Sequence, residues 1–406
     1  MTGPHCEKWL TLIGLGEDGA EALSPAAREA LAQAELVVGG ARHFALAGPF
    51  DCETMAWPAP LTDAIPAILA RRGARVCVLC SGDPFFYGAG TLLSAHISRN
   101  EIRCFPAPSA FGLAAARLCW SLQDCSLVSL HGRAFERIIP HLQPGAKILC
   151  LSWDETTPPR LANLLCARGL SATRMIVLEA LGGPRERLRE TIASAFEMEG
   201  IDPLNLVAIE IPAVDAAHFL PRASGLADSW FESDGQLTKR EVRAITLSSL
   251  VPKRGELLWD VGAGSGSIAI EWLLADAANR AIAIDERADR AGIVARNAKN
   301  LGVPQIEIVQ GKAPEAFASL PQPHAIFVGG GAQEAGLING AYAALPSGGR
   351  LVANAVTLET EAELIGWHKR LGGDLTRIEI SRAHALGSCH AFRPALPITQ
   401  WVITKR

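Results

Sequence analysis

No apolar run in the 406-residue sequence approaches the length needed to cross a bilayer, so its hydrophobic residues, 49% of the chain, are expected in packed cores. No basic excess is visible either. Lys and Arg number 38 against 42 Asp and Glu, a net charge of −4, whereas nucleic-acid binding usually leaves a basic footprint. The first residues, Met1-Thr-Gly-Pro-His-Cys-Glu-Lys8, lack the ordered basic, apolar and cleavage regions of a secretory signal. There is no metal-ligand cluster with convincing spacing, and no protein-bound metal is expected. The ten cysteines are scattered, nearly all before Arg168. Cys77 and Cys80 form a CxxC inside Arg75-Val-Cys-Val-Leu-Cys-Ser81, which reads as a buried strand where cysteine is a small hydrophobe; a redox pair would open a helix. These absences point to a reduced, cytoplasmic protein with no membrane or nucleic-acid partner.

What is present is material for more than one α/β domain. The length exceeds one ordinary domain. A mean hydropathy of +0.18 suggests strands buried on both faces, as in parallel sheets. In the first half, Lys8-Trp-Leu-Thr-Leu-Ile-Gly14 opens a series of strands at Glu35–Val38, Arg75–Cys80, Glu101–Phe105, Ser126–Leu130, Lys147–Leu151, Thr173–Leu178 and Asn205–Glu210. Helical stretches separate most of them. Ser24 followed by Pro25 predicts a capped helix start. After Ile211 the composition turns to proline, glycine and polar residues. Seven more strands are then predicted: Leu257–Val261, Arg280–Ile284, Ile306–Val309, Ala325–Val328, Gly349–Val352, Thr376–Ile380 and Gln400–Thr404. The expected organisation is a domain over 1–212, a linker over 213–230 and a second domain over 231–406, with no repeat relating the two.

In the second half, Leu257-Leu-Trp-Asp-Val261 runs into Gly262-Ala263-Gly264-Ser265-Gly266 and then a helix. Glycines there let the chain turn sharply and approach a ligand, and Asp285, about twenty residues on at the end of the next strand, can accept a ribose's hydroxyls. Two cofactors use such an arrangement. A dinucleotide fingerprint would need glycine or alanine where Ser267 stands, whereas Gly-x-Gly-x-Gly matches class I methyltransferases, so S-adenosylmethionine is favoured over NAD. Gly329-Gly-Gly331, after the fourth strand, carries no motif for an exocyclic amine or a pyrimidine. It offers bare backbone, which suits a bulky substrate with a nucleophilic carbon. Together with Asp234-Gly-Gln-Leu-Thr238 and Ala353-Asn-Ala-Val-Thr-Leu358, these segments resemble the cobalamin-pathway methyltransferases that methylate carbon 15 and decarboxylate the carbon 12 acetate, across nearly all of 231–406. The resemblance implies that Thr238, Gly262, Ala263, Gly264, Ser265, Gly266, Asp285 and Ala313 contact the cofactor. Thr238 also reads as a helix N-cap.

In the first half, Gly14-Leu-Gly16-Glu-Asp-Gly19, Ser81-Gly82-Asp83-Pro84, Pro106-Ala-Pro-Ser109-Ala110 and Glu179-Ala-Leu181-Gly-Gly-Pro occur in that order. Alone, Asp83-Pro84 reads as a helix cap and first turn. As a set the segments resemble the tetrapyrrole (corrin/porphyrin) methylase family over about 8–212, with a departure at Pro106-Ala-Pro, where Pro-Gly-Val is usual. The resemblance implies two α/β lobes with Gly14, Gly16, Ser81, Gly82, Asp83, Ser109, Ala110 and Leu181 lining the cofactor cleft. It also implies methylation of carbon 5, one cofactor per domain and a homo-oligomer. Arg133, in His131-Gly-Arg133, could pair with a substrate carboxylate, and it equally fits a surface turn.

The implied substrate is a precorrin whose meso carbons are already nucleophilic, so alignment rather than an obligatory catalytic side chain is expected for methyl transfer. For decarboxylation, Arg382, His384, His390 and Arg393, between the last two strands, are candidates to hold carboxylates or move a proton; each also fits a solvated loop. Two other functions stay open: an RNA methylase, since one such family shares the first fold, and a half that only senses cofactor or scaffolds an assembly.

Overall fold

The computed structural model describes residues 8–213 and 219–406. The residues up to Glu7, where no secretory signal is expected, and residues 214–218 of the expected linker lie outside them. The chain forms two compact units. Among the described residues, one comprises 8–133 and 143–213, and the other 134–142 and 219–406.

The first unit holds two five-stranded sheets. In spatial order, the first is Glu53–Ala56, Leu36–Gly39, Val76–Ser81, Leu10–Leu15 and Ile102–Phe105, all parallel. Its inner strands are apolar at successive positions because both faces are covered. Leu10, Leu12 and Val78 enter one core, while Ile13, Leu15 and Leu79 enter the other. Cys77 and Cys80 therefore point into opposite cores, and burial raises both thiols to about 12. They are packing residues, as their place in a strand suggested. The second sheet runs Cys125–Ser129, Lys147–Leu151, Asn205–Glu210, Arg174–Glu179 and Arg187–Ile192; only its first pair is parallel.

The second unit is built on a seven-stranded sheet ordered Glu307–Gln310, Arg280–Asp285, Leu257–Val261, Ala325–Val328, Arg350–Ala355, Ile398–Thr404 and Asp374–Ile378. The first five strands are mutually parallel; Ile398–Thr404 runs antiparallel to both its neighbours, so Asp374–Ile378 again runs with the first five. Strand order reverses between Leu257–Val261 and Ala325–Val328, which opens a crevice beyond their carboxyl ends. Both faces again carry cores, Leu258, Ala283 and Phe327 on one and Trp259, Ile284 and Val328 on the other. Arg243 is fully buried. It bonds the Glu271 carboxylate at 2.6 Å, and Glu271 also accepts from the amides of Gly225 and Leu226, which fastens the entering chain to the sheet's helices. Residues 134–142 belong to this unit. Their turn packs against the end of helix Ala288–Leu301 so closely that a Cβ on Gly302 would lie 2.5 Å from Pro140.

Local signals divide cleanly. Ser24 caps helix Pro25–Ala32, its Oγ accepting from Ala27 at 3.2 Å. Two N-cap expectations fail. Helix Arg240–Leu250 is preceded by Lys239 at the cap, and what Thr238 supplies is its carbonyl, which accepts from Arg243 at 2.5 Å. No helix starts at Asp83-Pro84 either. Asp83 accepts from the amide of Phe85 at 2.8 Å in a local turn, and the next helix begins at Ala89. The segment expected as a loop between the last strands is a hairpin, Ser381–Leu386 with Cys389–Pro394.

Candidate functional site

In the second unit, the glycine loop lies at the switch point. Gly262, Gly264 and Gly266 all have positive φ, at 72°, 58° and 76°, conformations that side chains disfavour. Gly266 is needed twice over, since a Cβ there would lie 2.8 Å from Val294. Across the crevice the Gly329 amide bonds the Val261 carbonyl at 2.9 Å, so Gly329–Gly331 faces the loop with bare backbone. Asp285 closes the next strand. Its oxygens accept from the amides of Gly264 at 2.9 Å and Arg287 at 3.0 Å, fixing the carboxylate while leaving further lone pairs. Arg290 reaches Asp285 at 3.4 Å, Asp234 at 3.0 Å and Gln236 at 2.6 Å, and so ties the Asp234–Thr238 segment beside the loop. The Asp234 carboxyl is held below its ordinary range by the Gln236 amide and by Arg290. Ala263 is half-buried and Ser265 buried; Ala313 is buried in the core after strand Glu307–Gln310.

Asp260 lies in the strand that feeds the glycine loop, where no spacing marks it in the sequence. It is fully buried, one carboxylate oxygen accepts from Ala269 at 3.1 Å, and the other has no partner among the described residues. Burial, with Asp285's charge added, raises its pKa to about 7. An unpaired buried carboxylate oxygen beneath a glycine loop is costly unless a ligand's donor meets it.

The first unit contains a cavity of about 620 Å³. Gly16, Ser81, Gly82, Ser109, Ala110 and Leu181 line it; Gly14 and Asp83 do not. Gly14 acts one layer back. A Cβ on it would lie 2.0 Å from the Gly82 carbonyl oxygen and 2.4 Å from the Ala107 nitrogen, so its bareness lets the loops after three strands close together. The Pro106-Ala-Pro variation is accommodated there, with the Ala107 amide bonding Gly82 at 3.3 Å. Ser109 caps helix Ala110–Leu118 through the Gly112 amide at 3.2 Å. The mouth is aromatic and cationic. Arg133 stacks over Tyr87 at 4.8 Å, and His131 lies 6.1 Å from Trp153, which is 55% exposed. Tyr87 has a φ of 58°, a rare conformation for an aromatic residue and a mark of strain held in place at a site. No spacing in the sequence announces Tyr87 or Trp153, because each is a single aromatic in a loop.

The hairpin divides the remaining candidates. Arg382 lies opposite Arg393, and His384 opposite Ala391, so these three residues share one face; His390, opposite Ala385, falls on the other. Arg382 also pairs with Glu241.

Comparison with known proteins covers both units. Residues 9–196 match the model of the tetrapyrrole (corrin/porphyrin) methylases, and residues 229–405 that of the precorrin methyltransferase domain. A precorrin-6Y C(5,15)-methyltransferase [decarboxylating] from Sinorhizobium sp is 52% identical over 398 residues, 98% of this chain and 96% of its own. The chain belongs to the precorrin-6Y C(5,15)-methyltransferase (decarboxylating) family. Two shorter proteins are also similar. A cobalt-precorrin-7 C(5)-methyltransferase from Salmonella typhimurium is 34% identical over 47% of this chain and 96% of its own. A probable cobalt-precorrin-6B C(15)-methyltransferase (decarboxylating) from Pyrobaculum calidifontis is 37% identical over 40% of this chain and 87% of its own.

Methyltransferases of the precorrin-6Y C(5,15) family use S-adenosylmethionine, and the residues present fit that molecule. In the second unit the orphaned oxygen of Asp260 suits an ammonium, the remaining lone pairs of Asp285 suit ribose hydroxyls, and the open space over Gly330, where an added Cβ would meet nothing within 4 Å, admits a ligand against backbone. In the first unit the cavity pairs bare main chain with the apolar side chains of Leu178, Leu181 and Leu206. No helix among the described residues is long and apolar enough to cross a membrane.

Proposed function

We propose that the chain performs two methyl transfers and one decarboxylation on a precorrin in cobalamin biosynthesis, with a cofactor site in each domain. Carbon 5 is methylated by the domain over 1–212, and carbon 15 is methylated and the carbon 12 acetate decarboxylated by the domain over 231–406, with 213–230 as linker. The observation that carries this is the pair of separate bare-backbone clefts, Gly16 with Ser81–Gly82 in one unit and Gly262–Gly266 with Gly329–Gly331 in the other. The division is supported by half-length relatives named for a C(5) and a C(15) activity.

Bound S-adenosylmethionine supplies an electrophilic methyl group. The chain's own work is to hold and align. In the first unit Tyr87 and Trp153 would offer flat apolar surface to a macrocycle, and Arg133 and His131, on the same cavity lining, would pair with its side-chain carboxylates. In the second, Asp260, Asp285 and the glycine turns fix the donor while Gly329–Gly331 leaves room for the ring. Alignment of this kind is worth about 7–11 kcal/mol. In the decarboxylation, the bond to the carboxylate breaks, its electron pair passes into the conjugated ring, and a proton is returned to the acetate carbon. Arg382 and Arg393 on one hairpin face would hold neighbouring carboxylates. His384 shares that face and would deliver the proton. The working protein is a cytoplasmic homo-oligomer.

The test is carbon-13 spectroscopy of the product made from methyl-labelled S-adenosylmethionine. Wild type should label carbons 5 and 15 and release carbon dioxide, Ala110→Trp should lose only the carbon 5 label, and Asp285→Ala only the second-domain products. Loss of the same products in both variants would refute the division.

A further inference from the structure

Three polar residues on the wall of the first unit's cavity, Glu17, Arg42 and His43, have no role in the account above, and the last two meet at the hydroxyl of Ser81. Arg42 pairs with Glu17, whose side chain is only 9% exposed, and donates to Ser81 Oγ at 2.7 Å. His43 Nε2 stands 3.0 Å from the same oxygen. The other ring nitrogen fixes the tautomer. The Gly40 amide points at Nδ1 at 3.2 Å and can only donate, so Nδ1 is bare and Nε2 carries the hydrogen. Burial, reinforced by Arg42, lowers the imidazole to about 4 and keeps the ring neutral. Two N–H groups thus converge on one hydroxyl, which has two lone pairs and one hydrogen. With both lone pairs engaged, the hydroxyl can only donate, and among the described residues no acceptor is recorded for that hydrogen.

We infer that Arg42 and His43 are positioning residues that make Ser81 a fixed hydrogen-bond donor to a ligand carboxylate in this cavity. A carboxylate is acceptor-only, which is what a hydroxyl locked as a donor selects; a ligand group that needed an acceptor would find none on Ser81. The inference rests on the cavity holding the cofactor and the precorrin, both of which bear carboxylates.

The experiment measures carbon 5 methylation by the full chain, with KM determined separately for S-adenosylmethionine and for the precorrin. Ser81→Ala should raise one of the two about tenfold or more, as expected for a bond to a charged group, with kcat changed far less. His43→Phe should raise the same constant by a smaller factor, and His43→Gln, which keeps a side-chain N–H, should recover most of it. A raised KM for S-adenosylmethionine, with inhibition by 5′-methylthioadenosine unchanged, assigns the cofactor's carboxylate; a raised KM for the precorrin assigns the substrate's. Two unchanged constants in Ser81→Ala, or His43→Gln no better than His43→Phe, would overturn the inference. The plugged variant Ala110→Trp separates the two failures, because carbon 5 methylation surviving it would remove the cavity's role rather than that of Ser81.

Discussion

Replacing Asp260 with asparagine should abolish a pH dependence of cofactor binding that the fold builds in. The Asp260 carboxyl moves from its ordinary 3.8 to about 7 because burial penalises its charge. Below 3.8 it is protonated in folded and unfolded chains alike. As pH rises from there towards 7 only the unfolded chain loses the proton, so stability falls across that window, by roughly 4 kcal/mol in all. A bound ammonium reverses the preference, because it needs the ionised form. At pH 6 about one tenth of the folded protein is ionised at this position, and at pH 8 about nine tenths, so the affinity of the second unit for S-adenosylhomocysteine should be about tenfold weaker at pH 6. Isothermal titration at the two pH values, in buffers of different ionisation enthalpy, should show that weakening together with proton release at the lower pH. Asp260→Asn should bind more weakly than wild type at pH 8 and lose the difference between the two pH values. A variant that keeps the tenfold pH effect, or binds as well as wild type at pH 8, would refute the assignment of the orphaned oxygen to a ligand.

Other substitutions test other parts. Gly14→Ala would place a methyl 2.0 Å from the Gly82 carbonyl oxygen; it should lower stability by about 1–3 kcal/mol in thermal melts and disable carbon 5 methylation while sparing carbon 15. Arg243→Ala leaves the buried Glu271 without its cation and should destabilise the second unit by about 3–5 kcal/mol in chemical denaturation. His384→Ala should slow carbon dioxide release relative to methylation, whereas His390→Ala, on the opposite face of the hairpin, should not.

How much of this was legible in the sequence depends on how local the signal is. Inner strands such as Leu257–Val261 and Lys147–Leu151 stand where expected because burial on both faces demands an unbroken apolar run. The edge strands Glu53–Ala56 and Arg187–Ile192 carry no such signal, since mostly exposed edges impose no hydrophobic pattern. The same holds for the hairpin Ser381–Pro394, whose residues are almost all exposed. Glycine motifs located the clefts but could not separate residues that face a ligand from those that make room for a neighbouring loop. Gly16 lines the cavity, while Gly14 is held by contacts behind it. Asp260 sits at the start of the glycine-loop motif, yet its unpaired oxygen is a property of the packed structure. His43 and Arg42 become informative only when a distant Ser81 is brought to them, 38 and 39 positions away.

The number of S-adenosylhomocysteine molecules bound per intact chain tests the central claim most directly. Equilibrium dialysis at saturation should give two, one removed by Ala110→Trp and the other by Asp285→Ala. A stoichiometry of one, or two sites that both vanish with a single substitution, would contradict it.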